Sequence, residues 1–301
     1  MRESGRKRLE AAVEEPSGTC GRALALHADP VIERALAYPY DVPEDSYLFW
    51  RGRAFPIPDG ETPEALAGAL DALVAAGRLP AALARLLRDD AEEGIAGLAR
   101  RHPVIACGSN RAPVRLQQKY GPTIPDAVIP VTRLHLADVA VFYAATVTAY
   151  GAVPATAAPC PGARAELRIT WLTERQLAVM NETEGLGVVY ALEPLPVDSA
   201  GGRALLGYRA LKGLFAPAGR PAALAAIPQA LPGGVPVRGE EEMLRALHAR
   251  WSRTAGRESG AAFYPFIRRL VADEGLRQAA IAWMAEEAAV PWEFWRTRSG
   301  R

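Results

Sequence analysis

At His102 the apolar pattern changes period, and that change constrains the fold more than any other feature. Between Pro103 and Leu211 the apolar residues come in short β-branched or aromatic runs: "PVIAC" (103–107), "DAVIPVTRL" (126–134), "ADVAVFYAATV" (137–147), "AELRITWL" (165–172), "GVVYALEPL" (187–195) and "RALLGYRAL" (203–211). Such runs read as strands. The segment "GAVPATAAPCPG" (151–162) is proline-rich with glycine at each end and reads as loop. Before the change the period is helical. Thr62 followed by Pro63 opens a helix, Leu66, Leu70, Leu73 and Val74 form its stripe, Gly77 ends it, and "PAALARLLR" starts another. After Gly219, "PAALAAI", "GEEEMLRALHARW" and "EGLRQAAIAWMAEEAA" again read as helices.

The pattern predicts an α+β chain with four parts. Residues 1–30 are polar, unpatterned and read as flexible; 31–101 form a mostly helical extension with aromatic and proline-rich irregular chain and short strands near 35–60. Residues 102–217 form a strand-rich core, and 218–301 a C-terminal helical segment. With 50% hydrophobic and 23% charged residues the chain has globular rather than disordered composition. A net charge of +1 gives no global field for nucleic acid or an anionic membrane, and no apolar run approaches a bilayer span. Three scattered cysteines (Cys20, Cys107, Cys160) point to a reducing cytoplasm, and four histidines without ligand spacing give no structural zinc pattern. Trp283, Trp292 and Trp295 crowd the C-terminal stretch, which reads as packing on the core or as a homodimer surface.

Two constellations carry chemistry. In "VIACGSNRAPVRLQQKYG" a strand runs into Gly108-Ser109-Asn110 and then a helix for which Asn110 is the expected cap. Backbone N–H groups at such a turn suit a carboxylate or oxyanion, although many βα connections bind nothing. In "WLTERQLAVMNETEG" Thr173 and Gln176 form a capping box, with Leu172 and Leu177 as the matching staple. That helix ends on Asn181, Glu182 and Glu184, where carbonyl ends disfavour negative charge. Carbonyl proximity and a neighbouring carboxylate are expected to raise a glutamate's pKa towards that of a general base; the plainer reading is a solvated helix end.

The order of these pieces resembles the γ-glutamylcyclotransferase-like (AIG2-like) family. The resemblance rests on Gly108, Ser109 and Asn110; on Pro154, Ala155 and Thr156; and on Met180 through Gly185 with Tyr190 beyond, over roughly residues 103–212. The family's tyrosine before Gly-Ser-Asn is Cys107 here, and an apolar residue after it is Arg111. The resemblance implies a small mixed β-barrel-like sheet, flanked here by the helical segments. It also implies a reaction on a small γ-glutamyl compound. The α-amine attacks the γ-carbonyl, releasing 5-oxoproline and an amine or amino acid, with no metal or organic cofactor, no nucleic acid and no membrane. Glu184 would carry the proton. Gly108, Ser109 and Asn110 would anchor the glutamyl carboxylate or the oxyanion, and Cys107, Arg111, Thr156 and Tyr190 would line the substrate pocket. Two alternatives stay open: a Cys107-dependent hydrolase or transferase, and a non-catalytic binding or scaffold protein on the same fold.

Overall fold

The structure, a computed structural model, describes residues 29–195, 204–254 and 262–293. The flexible segment read into residues 1–30 falls almost wholly outside them, as do Cys20, His27 and Trp295. The N-terminal part holds α1 (Pro30–Leu36), β1 (Tyr47–Trp50), β2 (Arg53–Pro56), α2 (Pro63–Ala75) and α3 (Ala81–Asp89). Then come β3 (His102–Ala106), α4 (Pro113–Tyr120), β4 (Val128–Tyr143), β5 (Ala155–Leu172), α5 (Glu174–Thr183), β6 (Tyr190–Pro194), β7 (Leu206–Ala210) and β8 (Leu214–Phe215). The C-terminal part holds β9 (Ala223–Leu224), β10 (Gln229–Ala230), β11 (Val237–Arg238), α6 (Glu240–Thr254), α7 (Phe263–Ala272), α8 (Glu274–Glu287) and β12 (Ala289–Val290).

Helix starts follow local chemistry. Asp29 caps α1 by accepting from Val31 N at 2.8 Å, and Thr62 caps α2 by accepting from Ala65 N at 3.2 Å, each with proline at the first helical position. Leu66, Leu70 and Leu73 are buried as the stripe requires.

The sheet runs β11-β9-β4-β5-β3-β7-β6, with β1 also on β4, β2 on β1, and β10 on β5. Only β3/β7 and β11/β9 are parallel among these pairs. The barrel expectation is corrected here. β6 pairs with β7 alone and β2 with β1 alone, so the sheet keeps free edges. Helices cover it instead of a closing strand: Ile267, Leu270 and Met284 share one core with Val141, Tyr143 and Ala157.

Three further readings change. The runs 126–134 and 137–147 are one strand, β4, bent at Asp138. The proline-rich loop is strand from Ala155, because its prolines fall beside a register shift of β4 against β5 between Ala137 and Val139. Asp138 takes φ 57° there and its Oδ1 accepts from Gly162 N at 2.7 Å. Proline is tolerated at such an irregularity because no ladder N–H is demanded of it. "PAALAAI" forms no helix: Pro221 and Pro228 bracket it, and Ala223 pairs with Phe142 and Val237.

The boundaries at 102 and 217 cut through this sheet, since β1, β2 and β9–β11 lie outside them. One core runs from Ile32 to Ala288. α1 packs on α7, and an Asp29–Arg268 ion pair joins the N- and C-terminal parts. Trp251 and Trp283 are buried in that core with ring centroids 5.8 Å apart, and Trp292 Nε1 donates to Ala157 O at 2.9 Å. Among the described residues no helix is long and apolar enough to cross a membrane.

Candidate functional site

β3 is held from both sides, antiparallel to β5 from His102↔Leu172 to Ala106↔Arg168 and parallel to β7 at Val104↔Leu206. That pairing fixes where the chain leaves the sheet at Cys107. Gly108 leads into a single 3-10 turn, Ser109–Arg111, and α4 begins at Pro113. Asn110 is therefore not the helix cap. Ala112 occupies that position, with no side-chain cap bond, because Pro113 sets the first helical residue. The freed Asn110 Oδ1 is buried without a hydrogen-bond partner among the described residues. At Gly108 a β-carbon would collide with the Tyr38 hydroxyl, so glycine is required for close approach. The Tyr38 oxygen in turn accepts from Ala155 N at 2.7 Å.

α5 opens as its sequence dictates. Thr173 Oγ1 accepts from Gln176 N at 3.2 Å, and Gln176 Oε1 accepts from Thr173 N at 3.0 Å. Leu172, Leu177 and Met180 enter one apolar cluster, which includes the staple pair. The helix closes on a Schellman turn. Gly185 takes φ 64°, its N–H donates to Glu182 O at 3.1 Å, and Leu186 N donates to Asn181 O at 3.0 Å. Glu184 is the C-cap residue. Its charge at a carbonyl end is balanced from α4, where the Lys119 ammonium contacts Glu184 Oε1. The Lys119 side chain is only 1% exposed, that of Glu184 17%, and Lys119 Nζ also lies 3.2 Å from Met180 Sδ. Burial pushes the Lys119 pKa down, opposed by the carboxylate of Glu184.

A cavity of about 390 Å³ gathers these pieces. Cys107 through Asn110, Pro154–Ala155 and Glu182–Gly185 line it together with Tyr38, Tyr150, Tyr190 and Tyr208. The Glu184 end of α5 thus shares one cavity with the Gly108–Asn110 turn. Tyr190 is fixed by donating its hydroxyl to Ala155 O at 3.2 Å, and Tyr208 by donating to Asn181 Oδ1 at 2.7 Å. Their rings meet edge to face at 6.1 Å. Burial raises the pKa of both phenols and of Tyr38, so all three stay protonated through the physiological range.

Two expected lining residues stand elsewhere. Arg111 is buried away from the cavity, donating through Nη2 to Ala226 O at 2.9 Å, while its carbonyl accepts from Tyr47 at 2.6 Å. Its side chain lines a separate groove with Arg133, Glu166 and Arg168. Thr156 is fully buried inside β5, donating to Tyr208 O at 2.8 Å, so it ties the sheet rather than meeting a ligand. Alternation along the strand leaves Ala155 to face the cavity.

Cys107 lines the cavity with a free thiol. Burial pushes its pKa up to about 12, with the charge of Glu184 adding to the rise. Among the described residues no histidine lines the cavity. His102 meets Glu174 at 2.8 Å, His135 meets Glu166 at 3.5 Å, and His248 stacks near Phe263 and Phe266.

Several cavity residues were invisible to motif reading. Tyr38 comes from the N-terminal extension; Arg277, Gln278 and Ile281 come from α8. Lys119 had a signal. It stands three residues from the buried Leu116 and so shares a helical face with it, and a lysine on an apolar face needs a partner. Arg115, Lys212 and Arg277 also line the cavity, and none has a carboxylate within 4.0 Å among the described residues. Among the described residues no cluster of three or more His, Cys, Asp or Glu could hold a metal ion.

No protein-family model, curated protein or solved structure matches this chain.

Proposed function

We propose that this chain is a cyclising acyltransferase of the γ-glutamylcyclotransferase kind, acting on a γ-glutamyl compound and built on a variant of that fold. One observation carries the reading. The Glu184 end of α5 and the Gly108–Asn110 turn, read from separate stretches of sequence, wall the same cavity. Intramolecular attack places only modest demands on such a site. The substrate brings its own nucleophile, and holding the glutamyl chain curled supplies much of the rate through lost rotational entropy. Glu184 takes a proton from the α-ammonium; the freed amine adds to the γ-carbonyl carbon, forming the ring C–N bond and a tetrahedral oxyanion. As the oxyanion collapses, the original amide C–N bond breaks, Glu184 returns its proton to the departing nitrogen, and the second proton of the ring nitrogen passes to the released amine, which leaves as an ammonium. The first N–H groups of the 3-10 turn have no acceptor within that turn and suit the glutamyl carboxylate or the oxyanion. Lys119 holds Oε1 of Glu184 and leaves Oε2 for the substrate.

The test is 5-oxoproline release, followed by mass spectrometry, from a mixed set of γ-glutamyl amino acids, dipeptides and amines. Wild type should release it, Glu184→Gln should lose at least 100-fold in kcat, and Cys107→Ala should stay within about 3-fold. Undiminished turnover by Glu184→Gln removes this mechanism. Turnover lost in Cys107→Ala instead restores the thiol reading, and no reaction or binding with any member favours a non-catalytic protein.

A further inference from the structure

Tyr38 lines the cavity with half of its hydrogen-bonding capacity unused. The residue is 5% exposed, it lines the cavity, and its oxygen lies against Gly108, close enough that any β-carbon there would collide with it. That oxygen accepts a hydrogen bond from Ala155 N at 2.7 Å. A phenol has one proton to donate, and accepting from Ala155 fixes the oxygen while leaving that proton unspent. No acceptor for it occurs among the described hydrogen bonds. Tyr190 and Tyr208 differ, since both spend their protons on protein acceptors, Ala155 O and Asn181 Oδ1.

We infer that Tyr38, supplied by the N-terminal extension, is a catalytic residue that donates its hydroxyl proton as a hydrogen bond to the oxyanion formed beside the Gly108 turn. The inference rests on the cyclotransferase reading above. As the amine adds to the γ-carbonyl, the carbonyl electron pair moves onto oxygen. The Tyr38 O–H then shortens its hydrogen bond to that oxygen without transferring the proton, and the charge is released when the carbonyl reforms. A donor fixed in advance in a dry site stabilises the transition state more than the neutral ground-state carbonyl. Burial, which raises the phenol's pKa, keeps the proton on Tyr38 throughout. The N-terminal extension is then part of the reaction centre, and a fragment confined to 102–217 lacks one of its donors.

Steady-state kinetics of Tyr38→Phe in the full chain supplies the test, with 5-oxoproline as readout and circular dichroism to confirm folding. The expected result is a fall in kcat of about 100-fold or more with KM changed less than about 3-fold, the split that a purely structural role does not produce. A tetrahedral phosphinate analogue of a γ-glutamyl peptide should bind Tyr38→Phe about 100-fold more weakly by calorimetry, while 5-oxoproline binds both proteins alike. If Tyr38→Phe does not fold, 3,5-difluorotyrosine at position 38 retains ring and hydroxyl but changes its acidity. The rate should then move by about 2-fold or more, and an unchanged rate overturns the inference. Wild-type turnover matched by a folded Tyr38→Phe overturns the role of Tyr38 and leaves the cyclotransferase reading standing. No 5-oxoproline from wild type with any γ-glutamyl compound overturns both.

Discussion

Replacing Lys119 by methionine removes the only charge partner of Glu184 found among the described ion pairs while keeping most of the side-chain volume. The carboxylate then faces the carbonyl end of α5 without a countercharge. Breaking a buried pair from one side costs about 3–5 kcal/mol, because a charge is left desolvated and unpaired. Glu184 retains some solvent contact, whereas Lys119 has almost none. Lys119→Met therefore belongs at the lower end, ~3 kcal/mol, and Glu184→Gln, which strands the deeper charge, nearer ~4 kcal/mol. The double variant leaves neither charge and should lie within about 1–2 kcal/mol of wild type. The resulting coupling, ~5 kcal/mol or more, exceeds what most neighbouring pairs show. Urea unfolding of the four proteins at neutral pH, with free energies extrapolated to water, measures it. Additive single losses, or a Lys119→Met protein within about 0.5 kcal/mol of wild type, would show that solvent screens this pair as it does surface ion pairs.

Two further outcomes follow from the packing around the cavity. Glu240 is buried, its Oε1 accepts from Val153 N at 2.7 Å, and burial raises its pKa well above the ordinary 4.5. The folded state therefore binds this proton more tightly than the unfolded chain. The associated stability is complete below pH 4.5 and is lost as pH rises towards the folded value. Glu240→Gln should be more stable than wild type by roughly 1–3 kcal/mol at about pH 8, with the gain shrinking towards pH 5 in thermal melts; a pH-independent difference refutes the sign. Gly108→Ala should destabilise by ~1–3 kcal/mol, because the new methyl displaces the Tyr38 hydroxyl from Ala155 N. Adding Tyr38→Phe should recover part of that loss in chemical denaturation, and no recovery would put the strain elsewhere.

Much of this protein is legible from its sequence because the signals are local. The caps at Thr62 and Thr173, the leucine stripe of α2 and the Gly185 stop all depend on residues within one or two turns, so chemistry and spacing decide them. The turn after β3 and the acidic end of α5 are legible for the same reason, though Arg111 and Thr156 show that motif membership does not give side-chain direction. A bond to the Ala226 carbonyl and one step along a strand hold them away from the cavity.

Tertiary structure alone decided the rest. "PAALAAI" has the composition of a helix but became a strand because β4 offered it a ladder, and the prolines of β5 fit only because the sheet bends at Asp138. The open sheet, the joining of both extensions to its core, and the placing of Tyr38 beside Gly108 all depend on contacts between distant residues. Lys119 illustrates the division best. Its position on a buried face was written in the spacing of α4; that its partner is Glu184, and that an acid is therefore tolerated at the carbonyl end of α5, depended on how the two helices dock. Local sequence sets backbone torsion and hydrogen bonding over a few residues, whereas charge compensation and cavity walls arise only when remote segments exclude water together.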